Sequence, residues 1–410
     1  MIKILHTSDW HIGKRLYSKT RYEEFSAFLG WLVEEIQRRA IDILIVAGDI
    51  FDTTTPSNTS QRLYYQFLKD VSVTCCRHIV IIGGNHDSPS LLEAPRELLA
   101  VLQVRVVASI PENREDQVLL LKDGVGECEL IVCTVPYLRD RDIRASQPGE
   151  SGDEKEQILQ KSIAHHYAEV VDIAITKQAQ QAPTAPIVAT GHLFAAGGSV
   201  VEGDGVRDLY VGSLLHVPVT IFSPQIDYLA LGHLHSAQIL GADPTKRYSG
   251  SPLPMSFKEA ERKKFVIEVE IEDGRVSTTP VRIPTFQRLH SIHGDYEQIL
   301  YEMEKISQEA QSVWLEILYE GKEIIPDMHH KLQKEITGSD LEILRIINRP
   351  LQINSADSEL TLNDLESMSE EGVFLRCLES ARIPADQQDD LLLLFKTTLQ
   401  QLAEEESYTK

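Results

Sequence analysis

No stretch of about 20 consecutive apolar residues occurs in this sequence, so no segment is expected to cross a bilayer as a helix. The chain passes from Met1 straight into a strand-like segment without the charged and then apolar leader of an exported protein, which predicts a soluble, cytoplasmic protein with no membrane partner. Cysteine is scarce. The five present, Cys75, Cys76, Cys128, Cys133 and Cys377, are odd in number and show no CxxC spacing, which argues against a disulfide framework or a zinc ribbon and predicts reduced thiols. The phosphate-cradling GxxxxGK[ST] loop is absent, so ATP hydrolysis is not expected on this chain. Positive charge is also short: 40 Lys and Arg against 62 Asp and Glu leave a formal net charge of -22. Composition alone therefore argues against a nucleic-acid binder, whose affinity comes largely from Lys and Arg on phosphates. The balance is uneven, however. The tail after Asp357 is rich in Glu and Asp, whereas Lys14, Arg15, Lys19 and Arg21 cluster near the start, and bound divalent cations would reverse the field locally.

With 410 residues, two or three folded units are expected. Over the first 240 residues one pattern repeats: a short run of Ile, Val and Leu that stops at Gly or Ser, followed by Asp, Asn or His. Such runs read as buried strands. They cover 2–7, 43–47, 79–82, 187–190 and 228–231, with a further strand at 130–135 ending at Pro136. Amphipathic helices lie between them, the clearest over 22–39 with Phe25, Phe28, Leu29, Leu32, Val33 and Ile36 on one stripe. The alternation predicts a layered α/β domain, in which ligands gather beyond the carboxyl ends of strands. The polar stretch 146–155 (SQPGESGDEK) reads as an exposed loop before a helix over 157–180. A boundary is expected near Pro280 to Pro284, where Thr278-Thr279-Pro280 breaks the pattern. The following segment reads as strand, helix, strand, helix, strand, a small α+β unit. Ser369 then reads as the N-cap of a helix bearing Val373, Phe374, Cys377 and Leu378, Pro384 as its end, and a second helix carries Leu391 to Phe395, Leu399 and Leu402. Four leucines in a row cover more than one face, which suits either a self-packed hairpin or a surface held for a partner.

The punctuation residues form an ordered set: Asp9-Trp10-His11, Gly48-Asp49, Gly84-Asn85-His86-Asp87, Gly191-His192 and Gly232-His233-Leu234-His235. Each motif is weak alone, but agreement in type, order and position at strand ends is improbable by chance. Imidazole, carboxylate and amide oxygen together favour ions such as Mn, Fe or Zn. A carboxylate can bridge two cations. Two cations together can activate a water, hold phosphoryl oxygens and neutralise charge on a leaving oxygen, which phosphate-ester hydrolysis needs. The remaining histidines carry no partner motif; His165-His166 and His329-His330 lie in polar helical stretches and are expected to be solvated, and His6, His78, His216, His290 and His293 to have surface or core roles. Lys14, Arg15, Lys19 and Arg21, and separately Arg139, Arg141 and Arg144, are candidates for phosphate contact. Ser249-Gly250-Ser251-Pro252 is either a structural turn or part of the site wall.

This ordered set resembles the calcineurin-like metallophosphoesterases. Within them, residues 6–13 (HTSDWHIG), 46–52 (VAGDIFD), 84–88 (GNHDS), 230–235 (ALGHLH) and 248–252 (YSGSP) are similar to the SbcD family of bacterial nuclease subunits, strongly through Phe257 and more loosely beyond. The resemblance implies a layered metallophosphoesterase sandwich over 1–283, a DNA-positioning capping domain over 284–350, and C-terminal helices over 351–410 that dock an SbcC ATPase. It implies that Asp9, His11, Asp49 and His235 bind one metal ion and Asp49, Asn85, His192 and His233 a second, with manganese as the working ion. It further implies that His86 acts on the scissile phosphate, with Asp87 orienting its ring. The implied activity is 3'-to-5' exonuclease action on duplex DNA ends and endonuclease action on single strands and hairpins, by a homodimer serving DNA recombination, replication and repair. Archaeal and eukaryotic relatives carry His at the position of Asp52, so any phosphate contact made there does not transfer. A metallophosphatase acting on nucleotides or phosphoproteins, or a metal-stabilised scaffold, would share the metal motifs.

Overall fold

The computed structural model describes residues 1–143, 151–195, 217–309, 312–321, 323 and 325–348, together with Phe374, Leu378, Gln388, Leu391, Leu392, Leu394 and Phe395. The chain divides into two compact units, Met1–His290 and Ser291–Lys410.

In the first unit, β1 (Ile2–Thr7), β2 (Ile43–Ala47), β3 (His78–Ile82) and β4 (Val104–Val107) pair in parallel. A second sheet contains β5 (Val118–Lys122), β6 (Cys128–Cys133), β7 (Ile187–His192), β8 (Tyr228–Gly232), β9 (Gln238–Leu240) and β10 (Asp243–Tyr248), in the order β5-β6-β7-β8-β10-β9. The chain then returns to the first sheet through β11 (Phe265–Glu272) and β12 (Arg275–Arg282), completing the order β12-β11-β1-β2-β3-β4. Alternation along the strands builds the layers. Leu44 and Val46 of β2 join an outer core with Phe25, Phe28 and Leu32 of α1 (Tyr22–Arg39) and with Tyr64 and Leu68 of α2 (Asn58–Ser72). The same core takes Leu92 of α3 (Pro89–Glu93) and Leu99 of α4 (Arg96–Val101). Ile43 and Ile45 point the other way, into a central core shared with Leu130 and Val132 of β6, Val188 of β7 and Ala230 of β8. Beyond the short α5 (Asp140–Ile143), α6 (Gly152–Gln181) covers the outer face of the second sheet with Leu159, Ile163, Tyr167 and Val170. The result is a helix–sheet–sheet–helix sandwich. Both faces of the central strands are buried, so they read as unbroken apolar runs, and each fully buried Ile or Leu contributes about 2 kcal/mol.

Two local expectations are corrected. Pro280 does not interrupt the pattern; it lies inside β12, opposite Ile267 of β11. Since β12 is an edge strand, proline is tolerated there, where the ladder can do without its missing N–H. The loop expected through Lys155 is shorter, because Ser151 caps α6 and Glu154 completes a reciprocal capping box that starts the helix at Gly152. Residues 144–150 lie outside the described residues.

The second unit follows the expected alternation: β13 (Arg288–Gly294), α7 (Tyr296–Ser307), β14 (Val313–Tyr319), α8 (Met328–Glu335) and β15 (Leu341–Asn348). Its sheet runs β13-β14-β15, and Ile299, Met303, Leu315, Ile317, Leu332 and Ile343 make its core. Asp295 begins α7 through a capping box with Gln298. Of the expected C-terminal helices, the described residues are helical, and the rings of Phe374 and Phe395 stack at 4.1 Å. Ser369, Val373, Cys377, Pro384, Leu393, Leu399 and Leu402 lie outside the described residues. Cys75, Cys76, Cys128 and Cys133 are unpaired, and among the described residues no helix is long and apolar enough to cross a membrane.

Candidate metal centre

Five strands of the two sheets end at one place. β1 delivers Asp9 and His11, β2 Asp49, β3 Asn85, β7 His192 as its last residue, and β8 His233 and His235. The chain turns there through left-handed backbone at Asp9 (φ 54°), His11 (φ 50°), Asp49 (φ 52°) and His233 (φ 102°), none of them glycine. Such conformations cost on the order of 1–3 kcal/mol each and persist where the surroundings impose them. The glycines serve a different need. A Cβ on Gly84 would collide with the Asp49 carboxylate, and one on Gly232 with the carbonyl of Ala47.

The side chains converge. His11 Nε2 lies 3.2 Å from His235 Nε2 and 3.5 Å from Asp49 Oδ2. On the other side His192 Nε2 lies 3.4 Å from the same Asp49 Oδ2 and 3.0 Å from Asn85 Oδ1. Donor atoms of Asp9, His11 and His235 all fall within 4.8 Å of one another, as do those of Asp9, Asp49 and His192. Asp9, His11, Asp49, His192, His233 and His235 are all buried, and His233 Nε2 has no hydrogen-bond partner.

Electrostatics express the same crowding. Burial, reinforced by Asp49, pushes the Asp9 carboxyl up to about 7. Burial opposes a charge on His192, but Asp49 and Asp9 outweigh it and raise the imidazole to about 9. Asp49 in turn is held well below its usual value, against burial, by His192 and His11, and burial with His192 lowers His233 to about 3. The buried carboxylates thus lean on the neighbouring imidazoles, His192 first among them. A divalent cation would provide the same compensation with more charge, and the converging lone pairs and the orphaned His233 nitrogen fit such an ion.

Surrounding groups fix these side chains. His192 Nδ1 meets the Ala47 carbonyl at 2.9 Å, which turns Nε2 toward Asp49. The His86 backbone N–H donates to Asp49 Oδ1 at 2.9 Å, leaving Oδ2 for the two histidine clusters. The expected role of Asp87 is corrected: its carboxylate accepts from the backbone N–H groups of Gly84, Ile50 and Phe51, locking the β2 and β3 loops together. Instead, the His86 ring is oriented by the Asp52 carbonyl, 2.8 Å from Nδ1. The Asp52 carboxylate also stands 3.5 Å from His11 Nδ1 and 3.1 Å from Lys14 Nζ. Burial opposes that charge, but His11 and Lys14 hold its carboxyl far below the usual range. In the sequence Asp52 stands out only as a departure from distant relatives; its position three residues after Asp49 is the one signal of a role at the site.

The loop at 249–252 backs the site. Ser249 Oγ meets Ser8 Oγ at 2.8 Å, and Ser251 N–H donates to the His235 carbonyl at 3.1 Å. Buried Lys264 donates to that same carbonyl at 3.2 Å, to Ser251 Oγ at 2.8 Å and to Glu259.

Among the basic candidates, Arg21 is withdrawn from solvent, with 2% of its surface exposed; it pairs with both oxygens of Glu24 and donates to the Pro254 carbonyl. Lys14 is engaged by Asp52, Arg15 is exposed, and Arg139 donates to the Asp87 carbonyl at 3.2 Å. Arg141 is paired with Asp142, and Arg144 lies outside the described residues. His165, His329 and His330 are exposed. His166 is not solvated as expected: it is 2% exposed, and neither ring nitrogen has a hydrogen-bond partner.

Residues 2–237 match the calcineurin-like phosphoesterase family, and residues 285–382 match a family described as the type 5 capsule protein repressor C-terminal domain. The chain is 38% identical over 408 residues to the SbcD component of the nuclease SbcCD from Escherichia coli, covering 98% of this chain and 99% of that one. It is 34% identical to the protein of the same name from Rhodobacter capsulatus, covering 69% of each chain, and 31% identical to that of Bacillus subtilis, covering 68% of each.

Proposed function

This chain belongs to the calcineurin-like phosphoesterases, and from that premise we propose that it is a two-metal nuclease, the SbcD-type component of a complex with an SbcC ATPase. The observation that carries the reading is the position of Asp49 Oδ2, within 3.5 Å of His11 Nε2 on one side and of His192 Nε2 on the other. Asp9, His11, Asp49 and His235 would hold one ion, and Asp49, Asn85, His192 and His233 the other. The mixed imidazole, carboxylate and amide set suits Mn, Fe or Zn, and the family resemblance favours Mn among them. Bound there, two divalent ions supply activation of an attacking water, a clamp on the phosphoryl oxygens and neutralisation of the leaving oxygen.

The chain's own residues do the rest. Asp49 shares its two oxygens between tasks, Oδ1 tied to the His86 backbone and Oδ2 facing both imidazole clusters. A ligand and the proposed catalytic histidine are thereby fixed to one frame. Donation from His86 Nδ1 to the Asp52 carbonyl leaves Nε2 to stabilise the scissile phosphate or hand a proton to the leaving oxygen. Asp87 acts by tying together the β2 loop that carries Asp49 and the β3 loop that carries His86. Arg15 and Lys19, on the loop after His11, would meet neighbouring phosphates.

Support for DNA as substrate comes from the relatives named as components of the SbcCD nuclease, matched over nearly the full chain in one case. By the same likeness, the proposed activities are 3'-to-5' cleavage of duplex ends and endonuclease cutting of single strands and hairpins, in the cytoplasm, for DNA end processing in recombination, replication and repair. Residues 284–350 would position DNA, the helices after 351 would dock SbcC, and the protein would act as a homodimer. The test is cleavage of a single-stranded oligonucleotide by the purified chain with Mn. Asp49→Ala and His86→Ala should each lower the rate by about a hundredfold or more, and only Asp49→Ala should also lose metal by calorimetry. Rapid hydrolysis of a small phosphomonoester without DNA cleavage would overturn the reading in favour of a metallophosphatase.

A further inference from the structure

Behind His235 the first unit carries a second concave site, a cleft of about 70 Å³. Leu253 and Phe286 contribute to its walls, and Arg262, Lys263, Lys264 and Arg282 line it. Four basic side chains around so small a cleft are unexpected in a chain of net charge -22. The lining acids offset them only in part. Glu24 is taken up by Arg21, and Lys264 is turned inward onto Glu259. Setting those internal pairs aside, Arg262, Lys263 and Arg282 face Glu261 alone among the lining residues. Lys263 and Arg282 are exposed, and neither has an ion-pair partner among the described residues. Apolar walls strengthen such a field by lowering the local dielectric.

The cleft and the metal centre share a wall. Arg262 Nη1 donates to Ser236 Oγ at 3.1 Å, one residue past His235, and Lys264 Nζ donates to the His235 carbonyl at 3.2 Å. An anion seated here would lie just behind the segment that presents a proposed metal ligand. We propose that this cleft is a phosphate subsite that grips a phosphodiester of the strand being cut, away from the phosphate at the metal centre. The assignment rests on the nuclease reading. Lys263 and Arg282 supply the charge; Arg262, anchored to Ser236, fixes its register relative to the metal site.

The experiment measures binding of a fluorescent single-stranded DNA oligonucleotide to the full chain with metal chelated, over a series of salt concentrations. Lys263→Gln/Arg282→Gln is compared with Arg96→Gln/Arg105→Gln, which removes equal charge from the groove beside β4. Thermal melts check that both fold. The cleft variant should bind about tenfold more weakly, with a log K against log salt slope shallower by about 1.4, the value for two lost phosphate contacts on a single strand. The control should bind as the wild type does. Equal losses in both variants would reveal a net-charge effect, and no loss in the cleft variant would show the subsite unused; either overturns the proposal. Inorganic phosphate retained by the wild type and lost by the cleft variant, with equal oligonucleotide binding, would make the cleft a free-phosphate site and overturn it too. A wild-type chain that binds no oligonucleotide would instead remove the nuclease reading, and this inference with it.

Discussion

Asp9, His11, Asp49 and His233, four of the ten non-glycine residues with left-handed backbone among the described residues, cluster where the chemistry is proposed, and there such conformations are imposed by the surroundings. Around them, single residues do work that residue type alone does not reveal. Asp52 is one: its carboxylate faces His11 Nδ1 and its carbonyl faces His86 Nδ1. Asp52→Asn removes the charge and keeps the carbonyl, so metal affinity measured by calorimetry should fall roughly 10- to 100-fold, the usual cost of losing an outer partner of a ligand. Unchanged affinity would show Asp52 to be idle. His166 makes a different prediction. Burial lowers its imidazole from 6.5 to about 4, so the unfolded chain takes up a proton that the folded chain refuses. Stability should therefore fall as pH drops below 6.5 and level off below about 4, and His166→Phe should flatten that decline in acid-denaturation curves. The seven proposed ligands are legible in the sequence because five directly follow an apolar run and a Gly or Ser, and His11 and His235 stand two residues after Asp9 and His233 in DxH and HxH. Asp87 and Asp52 are not, because a carboxylate a few residues from a ligand looks alike whether it holds a ring or a loop. Only the positions of three backbone N–H groups distinguish the two.

At the scale of elements, the strands that carry the site are readable because both their faces are buried, so period-two alternation gives way to unbroken Ile, Val and Leu. Edge strands are less so: Pro280 masks the continuity of β12, and Arg105 interrupts the apolar run of the partly buried β4. The start of α6 is the opposite case, since the Ser151–Glu154 capping box that sets it is present in the sequence but lies within a stretch whose small polar residues read as loop. Ser151→Ala should lower stability by about 1 kcal/mol in urea unfolding. A larger effect is expected behind β8, where Lys264 pairs with Glu259 and supports the His235 carbonyl. Lys264→Met takes the ammonium away from the buried Glu259 carboxylate, which still accepts from the Met255 N–H, and should cost about 3 kcal/mol, whereas Lys264→Met/Glu259→Gln should recover part of it. No recovery in the double variant would mean that the pair acts through packing and not through charge.

For the whole molecule, the net charge of -22 is a misleading guide, because the residues that would meet phosphate are few and local while many of the acids lie in the tail after Asp357. Leu394 is 63% exposed on a C-terminal helical residue, and Leu394→Glu should abolish co-purification with SbcC while Mn-dependent cleavage by the isolated chain persists. Loss of both would place that residue in the core. Both proposed metal sites depend on the shared carboxylate of Asp49. The most direct measurement of that dependence is a calorimetric titration of Mn into the metal-free chain beside Asp49→Ala. The wild type should take up about two equivalents, with neither held tightly by the variant. A single equivalent in the wild type, or two retained tightly in Asp49→Ala, would contradict it.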